Sequence, residues 1–213
     1  MDPSRFIRKK LICLIVANWL KIGGSMQYNQ NSKRKVIAAI NMTVDGICDH
    51  TAGIADEELH NHYGKLLSES DTILYGRKTY QLMEYWRSVI KDPSSKKYEL
   101  DFALIIDKIQ KIVFSNTLTN LNWDTAKLAR HNLKEEILEL KEKDGRNILI
   151  GSPSLIVAAT NLALIDEYQL CIHPMIMGSG LKLFKNIENK VDLKLLKTIA
   201  LKSGAIFLYY KVI

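Results

Sequence analysis

Cysteine is scarce in this 213-residue sequence: Cys13, Cys48 and Cys171 are too few and too scattered for a disulfide framework or a Cys-x-x-Cys zinc site. That scarcity suits a reducing, cytoplasmic setting. Long hydrophobic runs are missing too. The segment "LICLIVANWL" is about half of the roughly 20 residues that a bilayer-spanning helix needs, so no membrane partner is expected. "RFIRKK" ahead of it gives the layout of a secretion signal, but Lys21 follows directly and no Ala-x-Ala cleavage pattern accompanies it. Residues 1–34 are therefore expected to be an N-terminal extension, disordered or a misassigned start with the working chain beginning near Met26, and 35–213 a single domain. There is no basic block either. The 30 Lys and Arg are interspersed with 23 Asp and Glu, so the net charge of +7 implies mild attraction for anionic small molecules rather than a nucleic-acid surface.

What is present is an ordinary globular composition, 47% hydrophobic, with length enough for one sizeable core. "KVIAAINM" is an apolar, β-branched run that stops at the turn signal "VDG", which predicts a buried first strand. Leu59, Tyr63, Leu66 and Leu67 then recur as one face of a helix. "TILY" and "KIVF" read as strands, "RKTYQLM" and "YELDFALIIDK" as helices, and Leu133, Ile137 and Leu140 as the apolar side of a helix that closes at Gly145. A strand "NILI", a helix to about Leu162, a strand in "IDEYQLCIHPMIM" and two strands around "KSG" complete the chain. Strand and helix alternate, then strands follow one another. This order predicts a three-layer α/β/α fold with a mostly parallel central sheet and an antiparallel C-terminal edge hairpin. The exposed edge of such a hairpin suits a homodimer.

Two strand-to-helix turns carry the chemistry. In "IGSPS", Gly151 permits a tight turn, Ser152 is a favoured N-cap type and Pro153 occupies the first helical position. The unpaired N–H groups of such a helix start lie where an open α/β sheet binds phosphates; a plain helix cap is the alternative. In "ILYGRKTY" the pattern repeats with Arg77, Lys78 and Thr79 at the helix start. Two cations there oppose the helix dipole, and a bound phosphate would reverse the sign. Neither turn is a Gly-x-Gly-x-x-Gly or Walker sequence, so together they suggest a dinucleotide held across strand ends in some other way. Ser115, Asn116 and Thr117 end a third strand and could meet a ribose, or simply terminate it. His60 and His62 stand two apart on a predicted helix and point to different faces, so no metal is expected. No Gly-x-Ser-x-Gly nucleophile elbow occurs.

In order along the chain, "VIAAINMTVDG", "DTILYGRKTY", "KIVFSNTL", "NILIGSPSLI" and "LIDEYQLCIHPMIMGSGLKLF" resemble the dihydrofolate-reductase-like superfamily. The branch they look most like is that of the riboflavin-pathway reductase domain and its stand-alone bacterial relatives. The resemblance implies an NADPH-dependent reductase acting on a small-molecule substrate, a pyrimidine- or pterin-like heterocycle. It places Gly76, Arg77 and Thr79 at the cofactor phosphates and Ser115 at the adenosine ribose. Gly151, Ser152, Pro153, Ser154 and Leu155 match the pyrophosphate turn, with Ser152 where many relatives have a second glycine. Ala39, Thr43, Asp45 and Gly46 match the strand and loop on the nicotinamide and substrate side.

Two departures concern the substrate. Folate-reducing enzymes carry an early helical carboxylate, and here "IADEELHNHY" offers Asp56 or Glu57, while the usual spacing lands near His60. The riboflavin-type arginine pattern is replaced by "QLMEYWRSV", in which Arg87 is the substitute and Trp86 a stacking surface. The fused zinc deaminase signature is absent. Asp45, then Asp56, are the expected groups to orient or protonate substrate, directly or through water; the plainer role of Asp45 is to complete the turn before Gly46. The competing reading is a non-catalytic nucleotide-binding or assembly protein on the same fold.

Overall fold

The computed structural model describes residues 34–51 and 53–213. The signal-like segment, Cys13 and the expected extension, apart from Arg34, lie outside the described residues. Eight strands form one sheet: β1 (Val36–Thr43), β2 (Ser70–Gly76), β3 (Gln110–Phe114), β4 (Ala126–Leu128), β5 (Asn147–Ile150), β6 (Glu167–His173), β7 (Leu193–Ala200) and β8 (Ile206–Val212). Among the described residues, six helices accompany them: α1 (Glu57–Ser68), α2 (Arg77–Met83), α3 (Tyr85–Lys91), α4 (Lys97–Lys108), α5 (Leu133–Glu142) and α6 (Pro153–Asn161). The strand order is β4-β3-β2-β5-β1-β6-β8-β7. Pairing is parallel from β4 through β6 and antiparallel at β6–β8 and β8–β7, as the order of apolar segments predicts.

The period-two alternation of a strand divides the sheet's side chains between two cores. Val36, Ala38 and Ile40 of β1 pack on one face with Leu133, Ile137 and Leu140 of α5 and Ile156 and Ala159 of α6. Ile37 and Ala39 point the other way, to Leu66 and Leu67 of α1 and Phe102 and Ile106 of α4. Both faces of β1 are therefore covered, which is why its sequence reads as a continuous apolar run rather than an alternation. The three layers follow directly. The β7–β8 hairpin extends past this covered region. Leu193, Leu195 and Leu196 on β7 are exposed, and the turn closes through Gly204 at φ +84.

Helix starts are chemically specified. Asp56 caps α1 by accepting the Leu59 N–H at 2.8 Å, and Asn132 caps α5 by accepting the Glu135 N–H at 3.1 Å. Arg34 is buried, donates to the carbonyls of Arg146 (2.8 Å) and Leu140 (2.9 Å), and pairs with Asp71. These bonds fix the entry into β1. Lys111 at the start of β3 is also buried. Its Nζ donates to the carbonyl of Ile109 and to Thr125 Oγ1, both at 2.8 Å, and to the carbonyl of Asp107 at 3.2 Å; it also sits 4.1 Å from the centroid of the Trp123 ring. No helix among the described residues is long and apolar enough to cross a membrane.

Candidate active site

β2 and β5 are neighbours, so the two glycine turns at their carboxyl ends are adjacent. They are bonded together: the Gly76 N–H donates to Ser152 Oγ at 2.8 Å. This corrects one expectation. Ser152 stands at the N-cap position of α6 but makes no side-chain cap bond there, because its hydroxyl oxygen is used across the sheet. The Gly76 N–H is likewise spent. The N–H groups of Ser154 and Leu155 in the first turn of α6 have no helical partner, and Pro153 has none to lose. A side chain at Gly151 would bring a Cβ to 3.1 Å from Tyr75 Cε1, so glycine is what keeps this turn close to β2.

The turns open into a cleft of about 1370 Å³. Arg77, Lys78, Lys182 and Lys185 stand on its wall against, among the described residues, a single carboxylate, Asp49. Asp49 is itself occupied, accepting the N–H and hydroxyl of Thr51 at 2.7 and 2.6 Å. The wall thus favours an anionic ligand. Among the residues singled out from the sequence, Ala39, Gly76, Arg77, Thr79, Trp86, Gly151, Pro153, Ser154 and Leu155 line this cleft. Thr43, Asp45, Gly46, Asp56, Arg87, Ser115 and Ser152 do not stand on its wall. Ser115 ends β3 in a serine turn, its Oγ accepting the N–H groups of Thr117 and Leu118 at 3.2 and 3.0 Å.

The loop after β1 is braced rather than poised. Asp45 accepts the Thr43 hydroxyl at 2.5 Å, the Met177 N–H at 3.2 Å and the Gly178 N–H at 2.7 Å. The Thr43 bond first, then that of Gly178, holds its pKa down to about 2. A carboxylate so held carries no proton near neutrality, and the geometry gives Asp45 the work of tying the loop after β1 to residues 177–178. Thr43 also accepts the Ile47 N–H at 3.0 Å, and Gly46 turns the chain at φ +78. Asp56 is committed to the α1 cap. Neither expected acid stands on the cleft wall.

The inner end of the cleft holds, besides His60, groups to which the sequence assigned no site role. Asn41 on β1 accepts the Tyr63 hydroxyl at 3.1 Å, and its Oδ1 lies 3.2 Å from His173 Nε2. The Ile54 N–H points at His173 Nδ1 from 3.4 Å. His60 on α1 has its Nδ1 2.7 Å from the Asp56 carbonyl, and its ring lies among those of Trp86, Tyr98 and Phe102 at centroid distances of 5.3 to 5.5 Å. Cys48 also lines the cleft, and burial pushes its thiol up to about 11, so it is a neutral wall group. Lys182 and Lys185 come from the segment after β6. The "GSGLKLF" motif was the sequence signal for that segment, but nothing in it showed that it folds back against the loop after β1, where Cys48 N–H donates to the Leu181 carbonyl and Leu183 N–H to that of Gly46.

Residues 34–207 match the family model of the RibD C-terminal domain. The uncharacterized protein YyaP of Bacillus subtilis (strain 168) is 31% identical over 188 residues, covering 85% of this chain and 97% of the relative. Among solved structures, a pyrimidine reductase-like protein from Corynebacterium diphtheriae superposes with a TM-score of 0.61 at 19% identity, over 90% of this chain and 97% of that one. Dihydrofolate reductase from Enterococcus faecalis, solved with NADP(H), superposes with a TM-score of 0.55 at 15% identity, over 84% and 97%. At these identities the two structures establish the shared fold.

Proposed function

The chain belongs to the RibD C-terminal domain family, and from that premise we propose that it is an NADPH-dependent reductase of a small nitrogen heterocycle. The observation that carries the reading is the pair of bonded strand-end turns opening into a cation-lined cleft. A cleft of about 1370 Å³ exceeds the roughly 300–1,000 Å³ usual for one small ligand, leaving room for a dinucleotide and a substrate together. The residues present fit the cofactor: Ser154 and Leu155 offer backbone N–H groups to a diphosphate, and Arg77, Lys78 and Thr79 offer charge and a hydroxyl to the 2′-phosphate side. Ala39 and the inner wall would then face the nicotinamide. When bound, the dinucleotide supplies the hydride, while the protein supplies placement and exclusion of water. Uracil-type reduction of the riboflavin pathway and pterin reduction are the two candidate activities, since both substrates are flat heterocycles.

Titration with NADPH tests this reading, followed by thermal unfolding and by the fluorescence of Trp86 on the cleft wall. At roughly 100 times Kd, a ligand that binds only the native state stabilises it by about 2.7 kcal/mol, a rise of roughly 5–10 °C in a chain of this size. Absence of any shift at saturating NADPH refutes the proposal. Binding without NADPH oxidation across pyrimidine and pterin substrates would instead favour the non-catalytic reading, to which the engagement of Asp45 and Asp56 lends weight.

A further inference from the structure

We infer that His173 is a positioning residue of the cleft: from behind the wall it seats residues 53–55 through the Ile54 N–H, and does so only while its ring is neutral. This rests on the cleft being a dinucleotide site. His173 ends β6, is buried, and does not itself stand on the cleft wall. Its neighbours do. Asn41, which its Nε2 meets at 3.2 Å, lines the cleft, and so does Ala55, next to the Ile54 whose N–H points at Nδ1 from 3.4 Å. Gly53 lies so close to the ring that a Cβ there would stand 3.2 Å from both Cε1 and Nε2. One buried imidazole thus meets both β1 and the stretch of chain that enters α1, the helix whose Leu59, His60 and Tyr63 continue the same wall.

The sense of each bond follows from the partners. A backbone N–H can only donate, so Nδ1 accepts, and the proton of the neutral ring sits on Nε2. That Nε2–H donates to Asn41 Oδ1. A second proton acts on the two sides unequally. The bond to Asn41 survives it, whereas Nδ1–H and the Ile54 N–H become two donors facing each other. Residues 53–55 are then released while Asn41 stays held. The surroundings favour the neutral ring: burial pushes His173 below its ordinary 6.5, against an opposing pull from Asp56 at the head of α1. The other titratable groups around it are Cys171, whose Sγ lies 3.7 Å away on the same strand, and Tyr63 of α1, whose hydroxyl meets the same Asn41 oxygen; burial holds both neutral. β1 and the loop meet the ring through Asn41, Gly53 and Ile54, none of which titrates. The seat therefore holds at neutral pH and is lost as pH falls below 6.5.

Two measurements on the full chain test this. In the first, the protein without ligand is followed by NMR from about pH 8 to about pH 5. The His173 ring is expected to carry its proton on Nε2 at the upper end. The Ile54 amide is expected to lose hydrogen-exchange protection, corrected for the intrinsic rate, as His173 titrates below pH 6.5, while the amides of β1 keep theirs. A proton on Nδ1 at the upper end, or Ile54 protection indifferent to the titration, overturns the inference. In the second, NADP+, which is stable in acid, is titrated by calorimetry over the same range against wild type, His173→Asn and His173→Phe. His173→Asn keeps an acceptor where Nδ1 stands but does not titrate; His173→Phe keeps a ring and accepts nothing. The ligand's own 2′-phosphate titrates alike with all three. Between the two ends wild type is expected to lose about three- to tenfold more affinity than His173→Asn, the size of one hydrogen bond, and His173→Phe to bind weakly throughout. Parallel profiles for wild type and His173→Asn, or wild-type affinity in His173→Phe, overturn the inference; should His173→Phe fail to fold, the other two proteins decide. If wild type binds no NADP+ at any pH, the dinucleotide reading falls, and the exchange measurement alone decides whether His173 seats residues 53–55.

Discussion

The buried Lys111 makes the stability of this protein pH-dependent in a calculable way. Desolvation pulls its pKa down from 10.5 to about 7, with Asp107 pulling weakly the other way. Between those values the unfolded chain holds a proton that the native state has released, so unfolding binds protons and stability rises with pH. The favourable contribution is complete above pH 10.5 and is lost as pH falls towards 7. At about 1.4 kcal/mol per unit, moving from roughly pH 7 to pH 9 is worth about 2 kcal/mol. Lys111→Met removes the titration while keeping the stem volume beside Trp123. Urea unfolding at several pH values in that range, at constant ionic strength, is the assay. Wild type is expected to gain about 2 kcal/mol more than the variant over this interval. Parallel curves would refute the reasoning, and would mean that the carbonyls of Asp107 and Ile109, Thr125 Oγ1 and the Trp123 ring hold the charge as well as water does.

Other consequences can be measured independently. Arg77→Ala is expected to weaken NADPH by about tenfold or more and NADH far less, the loss of one charge-assisted contact; equal losses by fluorescence titration would place the 2′-phosphate elsewhere. Gly151→Ala brings a Cβ against the buried Tyr75 ring and is expected to cost about 1–3 kcal/mol in chemical denaturation. Asp45→Asn removes a carboxylate held at about 2, whose contribution to stability is present above pH 3.8 and lost as pH falls towards 2; its acid unfolding curve should be flatter than that of wild type over that window. The exposed Leu193, Leu195 and Leu196 on the outermost strand predict a dimer in sedimentation, and Leu195→Lys is expected to shift it towards monomer.

Much of the fold was legible because buried parallel strands leave unmistakable apolar runs, as "KVIAAINM" and "NILI" do. β4 was not, since Ala126–Leu128 has no pattern of its own and exists by pairing with Lys111, Ile112 and Val113. At the site, local chemistry marked both glycine turns, but not that Ser152 would forsake its own helix for Gly76, 76 positions away. The Tyr63–Asn41–His173 chain spans separations of 22 and 132 residues. No spacing rule reaches that far. Asp45 misled for a related reason: its partners at 177 and 178 arrive from the far side of β6 and occupy its oxygens.

Because the Ser152 hydroxyl already consumes the Gly76 amide, the two turns would hold the proposed dinucleotide by different means. One jaw is stiff, made of main chain at the head of α6; the other is soft, made of the exposed arms of Arg77 and Lys78. In that proposed complex, shape would be judged by the first and charge by the second. Since salt screens exposed side chains over about 8–10 Å, ionic strength loosens the soft jaw preferentially, and tolerance for a missing phosphate should vary with the medium more than tolerance for a misshapen one.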